Sequence, residues 1–151
     1  MQEVGYNKRS HFDYDITDKF EAGIVLTGSE VKSLRLHKAN MSDCYAGFST
    51  DRQLYLYNLH IPEYKMSNEK HTDPKRMRKL LMHKKELMRL SGIVPKGGIS
   101  LIPISIYFNN NGFVKLSIGI GKGKKTVDKR ETIKEREWNR EKSRILKKGS
   151  I

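Results

Sequence analysis

The chain has 151 residues, enough for one ordinary domain with its own core plus an appendage. It carries 30 Lys and Arg against 17 Asp and Glu, and this net charge of +13 favours a polyanionic partner, with nucleic acid ahead of an anionic membrane. No apolar run approaches the ~20 residues of a membrane-spanning helix, and the N-terminal residues lack the apolar stretch of a secretory signal. Its single cysteine, Cys44, cannot form an internal disulfide, so we expect a cytoplasmic protein with no membrane partner.

The first part of the chain predicts strands. The first ten residues are typical of an arm rather than of a regular element. Alternation of apolar and polar residues over 12–17 predicts a half-buried strand. Residues 20–26 continue this pattern with the apolar run over 22–26, and Gly23 within it favours a bend or bulge that would curl a sheet.

A short helix and a hairpin are predicted next. Ser29 is a candidate N-cap for a helix over 30–38, where Glu30 would lie near the positive end of the helix dipole. Residues 42–49 and 53–61 have strand composition on either side of a tight turn, which predicts a β-hairpin. The polar stretch that follows predicts a loop.

Asp73 and Pro74 predict the start of a second helix, because an N-cap acceptor is followed by proline at the first helical position. The helix is predicted to run to about Leu90, with Gly92 as its stop. Its apolar residues fall on one stripe, and the opposite face is basic. The residues of that basic face are Lys75, Arg78, Lys79, Lys85 and Arg89. Such a face contacts either phosphate or water, and the helix alone does not decide between them.

The last part of the body predicts a second hairpin. Residues 99–108 form a long β-branched run in which Pro103 favours an edge position or a bulge. The turn over 109–112 ends in Asn-Gly, and residues 113–120 alternate as a strand. Together the elements predict a mainly β protein, a closed β-barrel of the oligonucleotide-binding type with about three flanking helices and a basic C-terminal tail. A simple α+β sheet would produce a similar pattern.

The composition changes at the C-terminal end of the body. From Lys122 to Ile151 there are 12 Lys and Arg, 5 Asp and Glu and few apolar residues, so this segment holds +7 of the net charge. Such a segment cannot bury enough apolar surface to fold by itself. We therefore divide the chain into an RNA-binding body, residues 1–122, and a basic tail, residues 123–151. The tail is predicted to be disordered alone and helical on an RNA surface, although a merely solubilising tail has the same composition.

Catalytic motifs are not evident in the sequence. The glycine-rich run over 119–125 lacks the spacing of a phosphate-binding loop. The five histidines show no metal-ligand spacing, and Cys44 has no adjacent base, which favours a buried apolar role. A candidate carboxylate pair, Glu21 and Glu30, is not brought together by any local pattern. We therefore expect no catalytic residue, no metal, no cofactor and no enzymatic activity.

Several short motifs stand in a fixed order, three in the first half of the chain and four in the second. Those of the first half are Asn7-Lys8-Arg9, Phe20-Glu21-Ala22-Gly23-Ile24 and Gly28-Ser29-Glu30-Val31-Lys32-Ser33-Leu34-Arg35. Those of the second half are Asp73-Pro74 with Arg76 and Arg78-Lys79-Leu80-Leu81, then Gly121-Lys122-Gly123-Lys124-Lys125, Asp128-Lys129-Arg130 and Ile133-Lys134-Glu135-Arg136. In this order they resemble the SsrA-binding protein (small protein B) family, from Asn7 to about Lys148.

The resemblance implies a bacterial RNA-binding protein of trans-translation with an oligonucleotide-binding barrel. Members of the family bind the tRNA-like domain of transfer-messenger RNA (tmRNA, or SsrA) and deliver it to ribosomes stalled on messages without a stop codon. The body fills the space of a tRNA anticodon arm at the decoding region, and the tail enters the empty mRNA channel as a helix. The implied partners are tmRNA, the ribosome and, indirectly, an elongation factor Tu complex, and we expect a monomer.

The resemblance also implies roles for single residues, with Asn7, Glu21 and Leu81 at positions linked to RNA binding. Together with the basic residues near them, the candidate RNA-binding set is Asn7, Lys8, Arg9, Glu21, Lys32, Arg35, Arg76, Arg78, Lys79, Leu81, Lys122, Lys124 and Lys125. The candidate ribosome-binding tail residues are Asp128, Lys129, Arg130, Lys134, Arg136, Trp138, Ile145 and Leu146. Val127, which cannot stack on a base, stands where relatives often carry His or Tyr.

Two other classes of protein share parts of this pattern. A small ribosomal protein with a basic tail has the same composition and fold, and it would co-purify with ribosomes that lack tmRNA. An RNA-processing enzyme would show metal-dependent cleavage.

Overall fold

The computed structural model describes residues 1–65, 73–123, 130 and 133–142. The strands and helices of the described body follow in chain order. They are β1 (Gln2–Tyr6), α1 (Ser10–Asp13), β2 (Tyr14–Ile24), α2 (Gly28–Leu36), β3 (Tyr45–Phe48), β4 (Leu54–Tyr57), β5 (Arg78–Leu81), α3 (Lys84–Ile93), a 3-10 turn (Val94–Lys96), β6 (Ser100–Phe108) and β7 (Val114–Gly123). All seven of these strands join one antiparallel sheet in the order β1-β6-β7-β2-β5-β4-β3, which confirms the prediction of a mainly β protein.

Both predicted hairpins are present. β3 pairs with β4 across a tight turn. β6 pairs with β7 across a turn in which Gly112 has a φ of 80°, a conformation that favours glycine. The pairing register shifts between Pro103 and Ser105, which confirms the predicted bulge. β6 is an inner strand, between β1 and β7.

The N-cap of α2 is Thr27 rather than the predicted Ser29. The Thr27 hydroxyl accepts a hydrogen bond from the Glu30 backbone N–H at 3.2 Å, and the Glu30 carboxylate accepts one from the Thr27 N–H at 2.9 Å. This reciprocal capping box satisfies two donors at the start of the helix. Thr27 and Glu30 have the Thr-x-x-Glu spacing of that motif, so the local sequence already indicated the observed cap.

The predicted helix over 73–90 is wrong in its first half. Arg78–Leu81 forms β5, between β2 and β4, and the helix of this region is Lys84–Ile93. Asp73 accepts a hydrogen bond from the Lys75 backbone N–H at 2.9 Å, but it closes a turn instead of capping a helix. The strand forms because pairing on both sides and burial of alternate residues outweigh a local helix preference.

The predicted N-terminal arm is also wrong, because Gln2–Tyr6 is the strand β1, paired with β6. β2 is one strand of 11 residues. Its register irregularity lies between Ile16 and Asp18 and not at Gly23. Local composition could not reveal β1, since its partner lies at the other end of the body.

The sheet packs one face on a hydrophobic core, which includes Leu34 of α2 and Leu90 of α3. β1 and β3 are the end strands, and the ladders of the described residues leave these two unpaired with each other. The sheet is therefore open, and the predicted closed barrel is not observed. The opposite surface of the sheet is the outer face, formed by residues that alternate with the core positions.

Candidate nucleic-acid interface

Two neighbouring rows of residues cross the outer face. The first row is Tyr6, Ser105, Ser117 and Glu21, on β1, β6, β7 and β2. The second row is Tyr107, Lys115, Gly23 and Leu81, on β6, β7, β2 and β5. Side chains alternate between the two faces of a strand, and the neighbours Leu116 and Ala22 lie in the core. The two rows therefore share one surface.

Glu21 lies on β2, the middle strand of the sheet, and its carboxylate accepts a hydrogen bond from the Tyr107 hydroxyl. Burial and this hydrogen bond raise the pKa of Tyr107 to about 12, so the phenol remains a donor at neutral pH. A carboxylate can accept several hydrogen bonds, and Glu21 can accept others from RNA hydroxyl or amino groups. Sequence reasoning missed Tyr107, because it is 86 positions from Glu21 and only the sheet register brings the two together.

Leu81 is 52% exposed on β5 and lies opposite Gly23 on β2. It borders an open groove together with Lys115 and Phe113, whose side chain is 65% exposed. Lys79 faces the same side, two residues earlier on β5. This part of the outer face combines exposed apolar side chains with ammonium groups, which suits the bases and phosphates of a nucleic acid.

Asn7 is buried after the end of β1, and its side chain is bonded within the protein. Its amide donates to the Pro103 carbonyl at 2.9 Å, and its side-chain oxygen accepts from the Arg9 backbone N–H at 3.2 Å. Lys8 and Arg9 are exposed in the turn that follows, and Arg9 pairs with Asp13 at 3.1 Å. Asn7 therefore shapes the turn that presents these two cations.

Arg78 requires a correction to the predicted basic face, because its side chain is fully buried. Its guanidinium donates to the Glu30 carboxylate at 2.7 Å and to the Leu59 carbonyl at 2.6 Å. Arg76 donates to the other Glu30 oxygen from a partly exposed position. Burial opposes ionisation of Glu30, but the hydrogen bonds from Arg76 and Thr27 and the charge of Arg78 outweigh it and lower the Glu30 pKa. Arg78 thus stabilises the fold and cannot reach RNA from this position.

Lys32 and Arg35 lie on the exposed side of α2, whose other side packs on the core through Leu34. Lys32 Nζ is 5.8 Å from the centre of the Tyr64 ring, and Arg35 Cζ is 4.7 Å from the centre of the Phe108 ring. These distances allow cation–π interactions. The two cations belong to the helix-covered side of the body and not to the outer face of the sheet.

The described candidates from Lys122 onward are all exposed. They are Lys122, Arg130, Lys134, Arg136 and Trp138. Residues 133–142 are helical, and Arg136 Cζ lies 5.6 Å from the centre of the Phe12 ring. Lys124, Lys125, Asp128, Lys129, Ile145 and Leu146 lie outside the described residues. Disorder of the isolated tail stays a prediction.

The described residues contain no group of three or more His, Cys, Asp or Glu side chains that could hold a metal ion. The candidate carboxylate pair is separated, with Glu21 on the outer face and Glu30 buried against Arg78. Burial raises the pKa of the Cys44 thiol to about 12, which disfavours the reactive thiolate. Within the described ranges, no helix is long and apolar enough to cross a membrane.

Comparison with known proteins gives this geometry a family context. The family model described as "SmpB protein" matches residues 4–148. The chain belongs to the SmpB protein family. The SsrA-binding protein of Wolbachia sp. subsp. Drosophila simulans (strain wRi) is 52% identical over 147 residues, which cover 97% of this chain and 98% of that protein. The SsrA-binding protein of Sinorhizobium fredii (strain NBRC 101917 / NGR234) is 52% identical, over 95% of this chain and 90% of that protein.

Similarity to the SmpB family extends to three dimensions. A chain of the solved structure described as "tmRNA-SmpB: a journey to the center of the bacterial ribosome" is similar to this chain with a TM-score of 0.66. The two are 44% identical, and the similarity covers 85% of this chain and 92% of that one. At this level of identity the two chains share a fold.

Proposed function

We propose that this chain binds the tRNA-like domain of tmRNA and delivers it to stalled ribosomes for trans-translation and ribosome rescue. Relatives named SsrA-binding proteins are 52% identical to it over nearly its whole length, which supports this function. The structural observation that carries the proposal is the position of Glu21. It lies on the outer face of the middle strand, β2, and its carboxylate accepts a hydrogen bond from the Tyr107 hydroxyl of β6. The net charge of the chain is +13, but a carboxylate is repelled by RNA phosphates. An acidic residue on the binding surface therefore fits a specific hydrogen bond to RNA rather than charge attraction.

The body is proposed to recognise RNA by shape. Lys8, Arg9, Lys79 and Lys115 supply charge for phosphate contacts, and these give a salt-dependent attachment that is independent of base sequence. Glu21 and the exposed Leu81 add a hydrogen-bond acceptor and an apolar surface, which contact groups of the RNA other than its phosphates. A tRNA-like fold is distinguished by its shape and its 2′-hydroxyls, so a base-reading code is not needed, and the body can stand in for a missing anticodon arm.

The tail is proposed to act after the body has bound, by entering the empty mRNA channel near the decoding region. The helix over 133–142 exposes Lys134, Arg136 and Trp138, so these side chains are accessible to a partner. Asp128, Lys129, Arg130, Ile145 and Leu146 belong to the same proposal. Peptide transfer is left to the ribosome, the elongation factor Tu complex is an indirect partner, and the chain is a cytoplasmic monomer without catalytic groups.

We also propose that the sheet curls into an oligonucleotide-binding barrel in which the end strands, β1 and β3, do not pair with each other. The proposal is supported by the register irregularities in β1, β2 and β6, because bulges bend strands. It is also supported by the contact between β3 and β6, because these strands lie near opposite ends of the sheet order and meet only if the sheet curls.

The test is a titration against the isolated tRNA-like domain of tmRNA, with ordinary tRNA as competitor, at two salt concentrations. Selective binding that survives the higher salt is expected. Glu21→Gln is expected to weaken it about 10-fold, since hydrogen bonds to charged groups contribute ~1.5–3 kcal/mol. Glu137→Gln, which makes the same change at an exposed acid on the helix over 133–142, is the matched control.

Three results would contradict the proposal. Equal binding of both RNAs with a steep loss in salt would mean that net charge alone is responsible, as in a small ribosomal protein. Unchanged affinity of Glu21→Gln would mean that Glu21 on the outer face does not contribute to RNA binding. Metal-dependent cleavage of the RNA would indicate a processing enzyme.

A further inference from the structure

A cluster of tyrosines occupies the β3–β4 end of the outer face. Tyr45 and Tyr57 are directly opposite each other in the β3–β4 ladder, and their rings are stacked with centres 5.0 Å apart and planes at 18°. Tyr55 is tilted against Tyr57 at a centre distance of 6.5 Å. The alternate residues Leu54 and Leu56 are fully buried, so the tyrosines face away from the core.

The aromatic surface of this cluster is open. Tyr45 is 52% exposed, and its strand is the last in the sheet order. Gly47 lies opposite Tyr55 on the same face, where a Cβ would come 3.7 Å from Tyr57 Cε2. A larger side chain at this position would lie beside the tyrosine rings, and glycine keeps them accessible.

The cluster adjoins positive charge and the surface proposed to bind RNA. Lys79 on β5 is directly opposite Tyr55 in the β4–β5 ladder. Two residues further on, Leu81 pairs with Gly23 on β2, the strand that carries Glu21. The tyrosine cluster is therefore continuous with the Glu21 region across β5. An open aromatic surface beside an ammonium group matches a nucleotide, because the rings stack on a base and the cation binds a phosphate.

We infer that the Tyr45–Tyr57 pair is a stacking platform for an unpaired base of the bound RNA, with Lys79 on the adjoining phosphate. This inference rests on the proposed function and adds a second contact region to the same face. Tyr55 supports the platform, since its hydroxyl donates to Asp51 at 2.9 Å and so holds the ring in place. Any of the four bases can stack in this way, so the platform contributes affinity without base specificity.

The experiment compares Tyr45→Leu, Tyr45→Phe and Tyr64→Leu in the full chain, after thermal unfolding shows that each variant is folded at the assay temperature. Two probes are titrated, the isolated tRNA-like domain of tmRNA and an unpaired oligoadenylate. Tyr45→Leu is expected to weaken binding of both probes about 5-fold or more. Tyr45→Phe keeps the ring and is expected to bind like the wild type. Tyr64→Leu removes a tyrosine that lies beside α2, at Lys32, and is expected to have no effect.

A second arm tests the phosphate contact. Lys79→Gln is expected to lower the slope of log affinity against log salt by about 0.7–0.9, whereas Tyr45→Leu leaves the slope unchanged. Unchanged affinity of Tyr45→Leu for both probes, or an equal loss in Tyr64→Leu, would overturn the inference. If the wild type shows no preference for the tRNA-like domain, the proposed function fails, and the oligoadenylate titration still decides whether the platform exists.

Discussion

Glu21 and Glu30 carry the same side chain in opposite surroundings. Glu30 is buried between the guanidinium groups of Arg76 and Arg78, while Glu21 is exposed beside the Tyr107 hydroxyl. A charge is tolerated in the interior when it is paired and hydrogen-bonded, and removal of one partner leaves the other uncompensated. Glu30 therefore serves stability, whereas Glu21 is proposed to serve recognition, and substitutions should separate the two properties.

Glu30→Gln is expected to lower the free energy of unfolding by about 3–5 kcal/mol, because it leaves the buried Arg78 charge without its anion. Urea unfolding at neutral pH measures this loss. Glu21→Gln, the surface control, is expected to change stability by about 0.5 kcal/mol or less. Equal stability of the two variants would contradict the structural role of the Glu30–Arg78 pair.

Acid should weaken the same pair. The folded-state pKa of Glu30 is lowered from the ordinary value of 4.5, so the unfolded chain takes up this proton first as the pH falls. The stabilisation is fully present above the ordinary value and is lost as the pH falls through the lower folded-state pKa. The unfolding free energy of the wild type is therefore expected to fall more steeply below pH 4.5 than that of Glu30→Gln, and parallel curves would exclude this linkage.

Tyr107→Phe tests whether the phenol positions Glu21. The change removes the hydroxyl that donates to the carboxylate and keeps the ring. Affinity for the tRNA-like domain is expected to fall about 10-fold, with a stability loss of about 1 kcal/mol. Tyr6→Phe, in the neighbouring row of the outer face, is the control and is expected to bind normally. A similar affinity loss in both variants would argue against a specific role of Tyr107.

Among the elements, β5 joins the interior to the proposed RNA surface. Arg78 and Leu80 are buried, while Lys79 and Leu81 face outward. The motif Arg78-Lys79-Leu80-Leu81 therefore serves two purposes because a strand sends alternate residues to opposite sides. A helix over the same residues would have distributed them differently and would have exposed Arg78.

α2 provides the clearest test of an element boundary. Thr27→Ala removes the cap that accepts from the Glu30 N–H and is expected to cost about 1 kcal/mol of stability. Ser29→Ala changes a residue inside the helix and is expected to have a smaller effect. Thermal or urea unfolding of the two variants gives the comparison. A larger loss for Ser29→Ala would favour the boundary predicted from the sequence.

On the scale of the whole molecule, the described core and the described helix over 133–142 are separate features. The core residues of the described structure all lie at or before Ile120, so the body can keep its core without the tail. The helix over 133–142 has exposed side chains throughout. This arrangement supports the proposal that the body holds one RNA while the tail reaches another surface.

Removal of residues 126–151, which keeps the candidate RNA-binding residues Lys124 and Lys125, is expected to leave affinity for the tRNA-like domain largely unchanged and to abolish tagging of stalled proteins. Binding is measured by titration, and tagging by translation of a message without a stop codon. Circular dichroism of the shortened chain checks that the body is folded. Normal tagging by this chain would contradict the division of roles between body and tail.

The sequence by itself determined the features that depend on neighbouring residues. Alternation and the Asn-Gly turn predicted the β6–β7 hairpin. Strand composition on either side of a tight turn predicted β3–β4, and a capping residue predicted the body of α2. The ordered motifs indicated the family, which the match over residues 4–148 confirms. Composition placed the boundary between body and tail, which stays a prediction.

Tertiary structure alone decided which distant residues meet. β1 and β5 are strands because β6, β2 and β4 pair with them, and local composition favoured an arm and a helix. The register also placed Tyr107 beside Glu21 and buried Arg78 against Glu30. These outcomes depend on hydrogen bonds and burial between segments far apart in sequence, and the free energy of such contacts exceeds the small local preferences that a sequence pattern reports.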